Sequence, residues 1–233
     1  MSKFYGIGVG PGNPELLTIK AVNILKTVDV ILVPTAKKGL ESLALRIAKP
    51  YIKEGIRIEE RTFPMVVDLE VKEKAWDSIS SEIETWVKEG LRVAFLTLGD
   101  TMTYATYIYL LERLMGRIEI ETVPGITSYQ GVASSTNTPL VVDDMSMCVV
   151  SCNIPLEEIR RRVRTEDSLV LMKLSLQFKE IIAMLIEEGV APFTRLVSHA
   201  TQEEEVVYED LSTITDERIS YFSTIVINKR WTS

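Results

Sequence analysis

Short apolar runs alternate with amphipathic stretches along most of the 233 residues. A strand is predicted near residues 4 to 9, then a helix from about Pro14 to Thr27. Leu17, Ala21, Ile24, Leu25 and Val28 share one face of that helix at a period of roughly 3.6 residues. Asp29 to Val33 reads as a second strand, 40 to 51 as a helix and 56 to 63 as a strand. A long helix over 70 to 89 carries Trp76, Ile79, Ile83 and Trp86 along one side. The nearly unbroken apolar run Leu91 to Leu98 is the pattern of a strand buried on both faces. A helix near 103 to 115, a strand at 118 to 123, a Pro124-Gly125 turn and a helix to about 136 follow. Further strands are predicted at 145 to 151, 168 to 172, 194 to 198, 204 to 208 and 221 to 228, with helices near 155 to 164 and 175 to 188. The first half alternates strand and helix throughout, whereas the second ends in consecutive strands. This predicts two α/β domains, 1–116 with a mostly parallel sheet and 117–233 with a mixed one. No internal repeat interrupts the pattern.

Composition narrows the function classes. With 46% hydrophobic and 25% charged residues the chain reads as globular, which excludes disorder, collagen and a disulfide scaffold. Lys and Arg number 26 against 33 Asp and Glu, a formal charge of −7 that repels phosphate backbones and anionic membranes. The expectation is therefore no nucleic-acid partner and no membrane association. Cys148 and Cys152 are spaced C-x3-C, which fits neither a zinc knuckle nor a C-x-x-C redox pair. An even spacing on one strand puts both on one face, most simply a buried one. The start shows no signal-peptide pattern, and no run reaches the roughly eighteen apolar residues of a span. A cytoplasmic location is the expectation.

Candidate chemistry begins at Gly6-Ile7-Gly8-Val9-Gly10-Pro11-Gly12-Asn13-Pro14, between the first strand and the first helix. Such a loop lets backbone approach a ligand closely. The dinucleotide fingerprint fails, because Pro11 and Asn13 stand where its third glycine would be, and no Gly-Lys-Ser/Thr follows for a phosphate loop. A tight strand-to-helix turn with Pro14 at the helix start accounts for the same residues. Two more turns follow strands: Leu98-Gly99-Asp100-Thr101-Met102-Thr103-Tyr104, and Val123-Pro124-Gly125-Ile126-Thr127-Ser128. Ligands of open α/β sheets bind beyond the carboxyl ends of strands, where all three turns lie.

Together, G-V-G-P-G-x-P-x-L-L-T-x-K-A, L-G-D-x-x-x-Y and V-P-G-I-T-S, in this order, resemble the tetrapyrrole methylase family, with Leu171-Met172-Lys173 and Ser198-His199-Ala200-Thr201-Gln202 extending the likeness over essentially the whole chain. The resemblance implies a two-domain α/β fold with S-adenosyl-L-methionine folded into the cleft between domains, S-adenosyl-L-homocysteine as product, and a homodimer. It also implies cofactor contacts from Pro11, Leu98, Gly99, Asp100, Thr103, Thr127, Ser128, Met172 and Ala200. Asp100 is suited to accept hydrogen bonds from the cofactor, and equally to cap the next helix.

Within the family, the branch that methylates uroporphyrinogen has an acidic residue at the end of the second strand, where this chain has Pro34. Val33 to Lys38, Ser42-Leu43-Ala44, Phe63-Pro64-Met65 and Thr97 to Thr106 look most like the enzymes that methylate position 20 of precorrin-2 or its cobalt complex. Thr101 replaces a frequent proline after Gly-Asp. The implied reaction is an in-line displacement that asks the protein to align two reactants and exclude water, and it requires no protein-held metal. No single catalytic residue is assigned; Tyr104 could orient substrate or accept the meso proton, or simply pack. The substrate's carboxylates call for cations, and Lys37, Lys38 and Arg61 are the candidates, against the alternative of solvated surface charges. The arginines at 160, 161, 162 and 164 read as a solvated helix face, and His199 as a structural or cofactor-rim residue. A methyltransferase of the same fold acting on another tetrapyrrole position or on a protein remains the alternative, as does a sensor that binds the cofactor without turnover.

Overall fold

The computed structural model describes residues 2–35, 42–64, 68–215 and 218–232. The chain divides into two units, Met1–Thr127 and Ser128–Ser233.

The first unit contains strands β1 (Phe4–Gly8), β2 (Val30–Thr35), β3 (Arg57–Thr62), β4 (Val93–Thr97) and β5 (Ile120–Val123). Helices α1 (Ile19–Leu25), α2 (Leu43–Ala48), α3 (Leu69–Lys88) and α4 (Tyr107–Leu114) connect them. The strands form one sheet in the order β3-β2-β4-β1-β5, every pairing parallel. Alternation along the strands sorts the core onto two faces. Phe4, Val30, Leu32, Val93 and Phe95 pack with Trp76, Ile79, Ile83 and Trp86 of α3 and with Tyr107, Leu110 and Leu114 of α4. Tyr5, Ile7, Ile31, Val33, Ala94 and Leu96 pack with α1 and α2 on the other side. The sandwiched β4 is buried along its whole length, as its unbroken apolar run predicts.

Two helices are shorter than their periodicity suggests. Asn13 and Thr18 each place a side-chain oxygen on a following backbone N–H, so the stretch from Pro14 splits into a 3-10 turn at Pro14–Leu16 and α1. The apolar face survives the break, since Leu17, Ala21, Leu25 and Val28 share one core cluster. The helix expected from residue 103 starts only at Tyr107, because Tyr104 has a left-handed φ of 52°.

The boundary between units falls at Thr127/Ser128, later than the expected division after residue 116. β5 pairs with β1, with Phe4 opposite Ile120 and Ile7 opposite Val123, so the strand expected to open the second domain instead completes the first sheet. Strand and turn patterning cannot reveal which sheet a strand joins, and that choice moved the boundary.

The second unit contains α5 (Ser128–Ser135), α6 (Leu156–Thr165), α7 (Phe178–Glu187), β6 (Met147–Ser151), β7 (Ser168–Met172), β8 (Thr194–Ser198), β9 (Val206–Tyr208) and β10 (Ser223–Asn228). Its sheet runs β6-β7-β10-β8-β9, parallel only between β6 and β7 and therefore mixed. One face packs on α6 and α7, with Cys148 and Cys152 in the same cluster. Arg160 and Arg164 of α6 join Glu188 at the end of α7, at 2.7 Å each.

Candidate active site

In the first unit, β1 leads into a helix on one face of the sheet and β4 into a helix on the other. These adjacent strands form the topological switch point, where open α/β sheets present a crevice at the strand carboxyl ends. The three turns meet there. The Gly10 N–H donates to the Gly99 carbonyl at 3.1 Å, and the Gly99 N–H to the Gly10 carbonyl at 2.8 Å. The third turn lies against both. A methyl group on Gly8 would come within 2.6 Å of the Gly125 nitrogen and 2.8 Å of the Gly99 carbonyl oxygen, and one on Gly125 would strike that same oxygen. Only residues without a Cβ allow this approach.

Asp100 binds the second turn to the third. Its Oδ2 accepts the Gly125 N–H at 3.0 Å, while Oδ1 accepts the Met102 N–H at 2.9 Å and the Thr103 hydroxyl at 3.3 Å. Thr101, fully buried, donates to the Val123 carbonyl at 3.4 Å. Asp100 does not cap α4, whose N-cap position is Thr106. With three of about four acceptor positions engaged, it has little capacity left for a ligand. Pro11, Leu98, Gly99, Asp100, Thr103 and Thr127 thus lie on the turns that follow β1, β4 and β5.

In the second unit, Met172 ends β7 and Ala200 follows β8. Thr224 of β10 stands opposite Met172 on one side and Val197 on the other. Its hydroxyl lies 3.0 Å from that of Ser128 at the start of α5. Ala200 and Met172 belong to one cluster with Val132, Val170, Val197 and Val226. Ser128, Met172 and Ala200 are therefore brought to one end of one sheet face. Thr224 was missed from the sequence, although two hydroxyl residues before the apolar run Ile225 to Ile227 were a visible signal.

Backbone strain marks the same places. Among the described residues, six other than glycine have a left-handed φ: Tyr104, Asn137, Asp143, Lys173, His199 and Thr201. Asn and Asp adopt this conformation readily. Of the other four, Tyr104 adjoins Thr103, Lys173 adjoins Met172, and His199 and Thr201 bracket Ala200. Conformations costing about 1–3 kcal/mol each concentrate at ligand sites. Lys173 belongs to the Leu171-Met172-Lys173 stretch of the family likeness but carries no role in the sequence reading; burial pushes its amine below the usual lysine range.

Lys37 and Lys38 lie outside the described residues. Arg61 lies near the carboxyl end of β3 and is ion-paired. Its guanidinium donates to Glu82 at 2.8 Å and Glu59 at 2.9 Å, and lies 5.8 Å from the Trp86 ring centre. The pair with Glu82 links β3 to α3. Among the described residues no helix is long and apolar enough to cross a membrane.

The model of the family described as Tetrapyrrole (Corrin/Porphyrin) Methylases matches residues 3–215. The chain is 37% identical to the cobalt-precorrin-2 C(20)-methyltransferase of Salmonella typhimurium, over 98% of this chain and 97% of that one. It is 36% identical to the probable cobalt-precorrin-2 C(20)-methyltransferase of Methanocaldococcus jannaschii, over 99% and 97%. The crystal structure of uroporphyrin-III C-methyl transferase from Thermus thermophilus, complexed with S-adenyl homocysteine, superposes with a TM-score of 0.66 at 20% identity, covering 98% of each chain. A family match over most of the sequence and relatives aligned end to end lead to one conclusion: the chain belongs to the tetrapyrrole (corrin/porphyrin) methylases.

Proposed function

We propose that the protein is an S-adenosyl-L-methionine-dependent C-methyltransferase acting on C-20 of precorrin-2, with the cobalt-bearing ring, cobalt-factor II, as the preferred substrate. The observation that carries the reading is the junction of three turns at the switch point, built by Gly8, Gly10, Gly99, Asp100 and Gly125. The end-to-end similarity to two relatives named for this reaction supports the choice of substrate.

Bound S-adenosylmethionine supplies an activated methyl group on a sulfonium. That methyl would pass to the electron-rich meso carbon of the ring, which would give up its proton in exchange. Backbone N–H and C=O groups on the three turns have fixed positions, which suits them to orient a polar ligand without reorganisation. On the resemblance to the family we also assign cofactor contacts to Thr127 and, in the second unit, to Ser128, Met172 and Ala200. Lys173, which follows Met172 on a left-handed backbone, is the group we assign to take the meso proton. A cytoplasmic homodimer completes the reading.

Titration calorimetry with S-adenosylhomocysteine tests the cofactor half of the proposal. Saturable binding with one site per chain is expected; heats indistinguishable from dilution would overturn it.

A further inference from the structure

The turn that carries Ala200 is tied down through both backbone and side chains. Ala200 is 5% exposed and sits between two left-handed residues, His199 at φ 54° and Thr201 at φ 66°. Such a pair does not persist unless its surroundings enforce it. The His199 N–H donates to the Phe222 carbonyl at 2.9 Å, and the Gln202 N–H returns to the His199 carbonyl at 2.9 Å. Glu205 accepts the Thr201 N–H.

The imidazole links these two strands of chain. Its Nε2 lies 2.8 Å from the Ser220 hydroxyl and its Nδ1 3.4 Å from Gln202 Oε1, and the ring packs against Phe222 at 5.4 Å. Ser220 Oγ already accepts the Phe222 N–H at 3.2 Å. The network assigns the tautomer. With Gln202 Oε1 facing Nδ1, the matching arrangement has the Nδ1–H donate to Gln202 and the Ser220 hydroxyl donate to Nε2, a relay from Phe222 through Ser220 and His199 to Gln202.

We propose that His199 is a positioning residue for the methyl-transfer reaction: its ring ties the 199–202 turn to Ser220 and so fixes Ala200 in its cofactor-contacting place. This rests on the assignment of Ala200 as a cofactor contact. A serine or asparagine ring substitute could satisfy one end of the relay; only an imidazole spans both with one donor and one acceptor.

His199→Asn separates backbone from side chain, because asparagine tolerates the left-handed conformation but is too short to reach both partners. Ser220→Ala removes one end of the relay without touching the turn. Each variant is expected to bind S-adenosylhomocysteine roughly tenfold more weakly by calorimetry and to raise the KM for S-adenosylmethionine by a similar factor, with kcat within about twofold. The double variant is expected to be no weaker than the worse single one, since the two groups act as a unit. Wild-type affinity in a folded Ser220→Ala protein, or additive losses in the double variant, would overturn the proposal. Ala200→Leu separates it from its premise. If that variant binds like wild type, the assignment of Ala200 fails; if it binds weakly while Ser220→Ala does not, only the role of His199 fails.

Discussion

The Gly125 N–H donates to Asp100 Oδ2 across a loop junction, at 3.0 Å, joining the turn after β4 to the turn after β5. The same carboxylate organises its own turn through Met102 and Thr103. The charge of Asp100 thus serves the shape of the site before it serves any ligand.

Replacing Asp100 with Asn keeps size and one acceptor but turns the other oxygen into a donor, which must face either the Gly125 N–H or the Met102 N–H. The loss expected for a hydrogen bond to a charged acceptor is about 1.5–3 kcal/mol. Urea unfolding should report it, together with weaker binding of S-adenosylhomocysteine. Unchanged stability would show that the junction holds without the bond.

Gly8→Ala tests the close approach of the turns. The added methyl meets backbone atoms at 2.6 and 2.8 Å, which cannot rotate away. Overpacking of this kind costs about 1–3 kcal/mol and moves the loops. Cofactor affinity should therefore fall in a protein whose circular dichroism stays native.

The legibility of the fold follows from what each element needed. Strands 168–172 and 194–198 coincide with prediction, the first because Leu169 to Met172 is an apolar run between Asp167 and Lys173. The long α3 was visible in the spacing of Trp76, Ile79, Ile83 and Trp86, which all reach the core. What stayed hidden depends on partners distant in sequence. The pairing of β5 with β1 spans over a hundred residues and leaves no local mark. Arg61 looked available because Glu82, twenty-one residues away, has no visible link to it in the sequence. The left-handed backbone at Tyr104, Lys173 and Thr201 violates local preference, and local preference is what sequence reading uses.

Lys173→Met should lower kcat by roughly 100-fold if the amine takes the meso proton. Binding of S-adenosylhomocysteine should change little. Equal losses in binding and turnover would instead assign Lys173 a structural part.

The guanidiniums of Arg164 and Arg160 beside Glu188 hold its carboxyl at about 2, against about 4.3 in an unfolded chain. A carboxyl with a depressed folded pKa stabilises the fold above its unfolded pKa and loses that contribution as pH falls through the folded one. Glu188→Gln should therefore be less stable than wild type near neutral pH. The gap should narrow between about pH 4.3 and about pH 2. Urea midpoints across that range test this, and a constant gap would contradict it.

Burial pushes the Cys152 thiol up to about 12, leaving it protonated and shielded at neutral pH. Cys148 is only half-buried. A thiol titration of the native protein should find no reaction at Cys152, and reaction at both cysteines after unfolding. Rapid native modification of Cys152 would mean that the second core opens.

The most direct test of the central claim is turnover with methyl-labelled S-adenosylmethionine on cobalt-factor II, metal-free precorrin-2 and uroporphyrinogen offered separately, with the new methyl located by NMR. The account predicts label at C-20, fastest on the cobalt ring and absent from uroporphyrinogen. Label at another carbon, or none from a protein that binds S-adenosylhomocysteine, would contradict it.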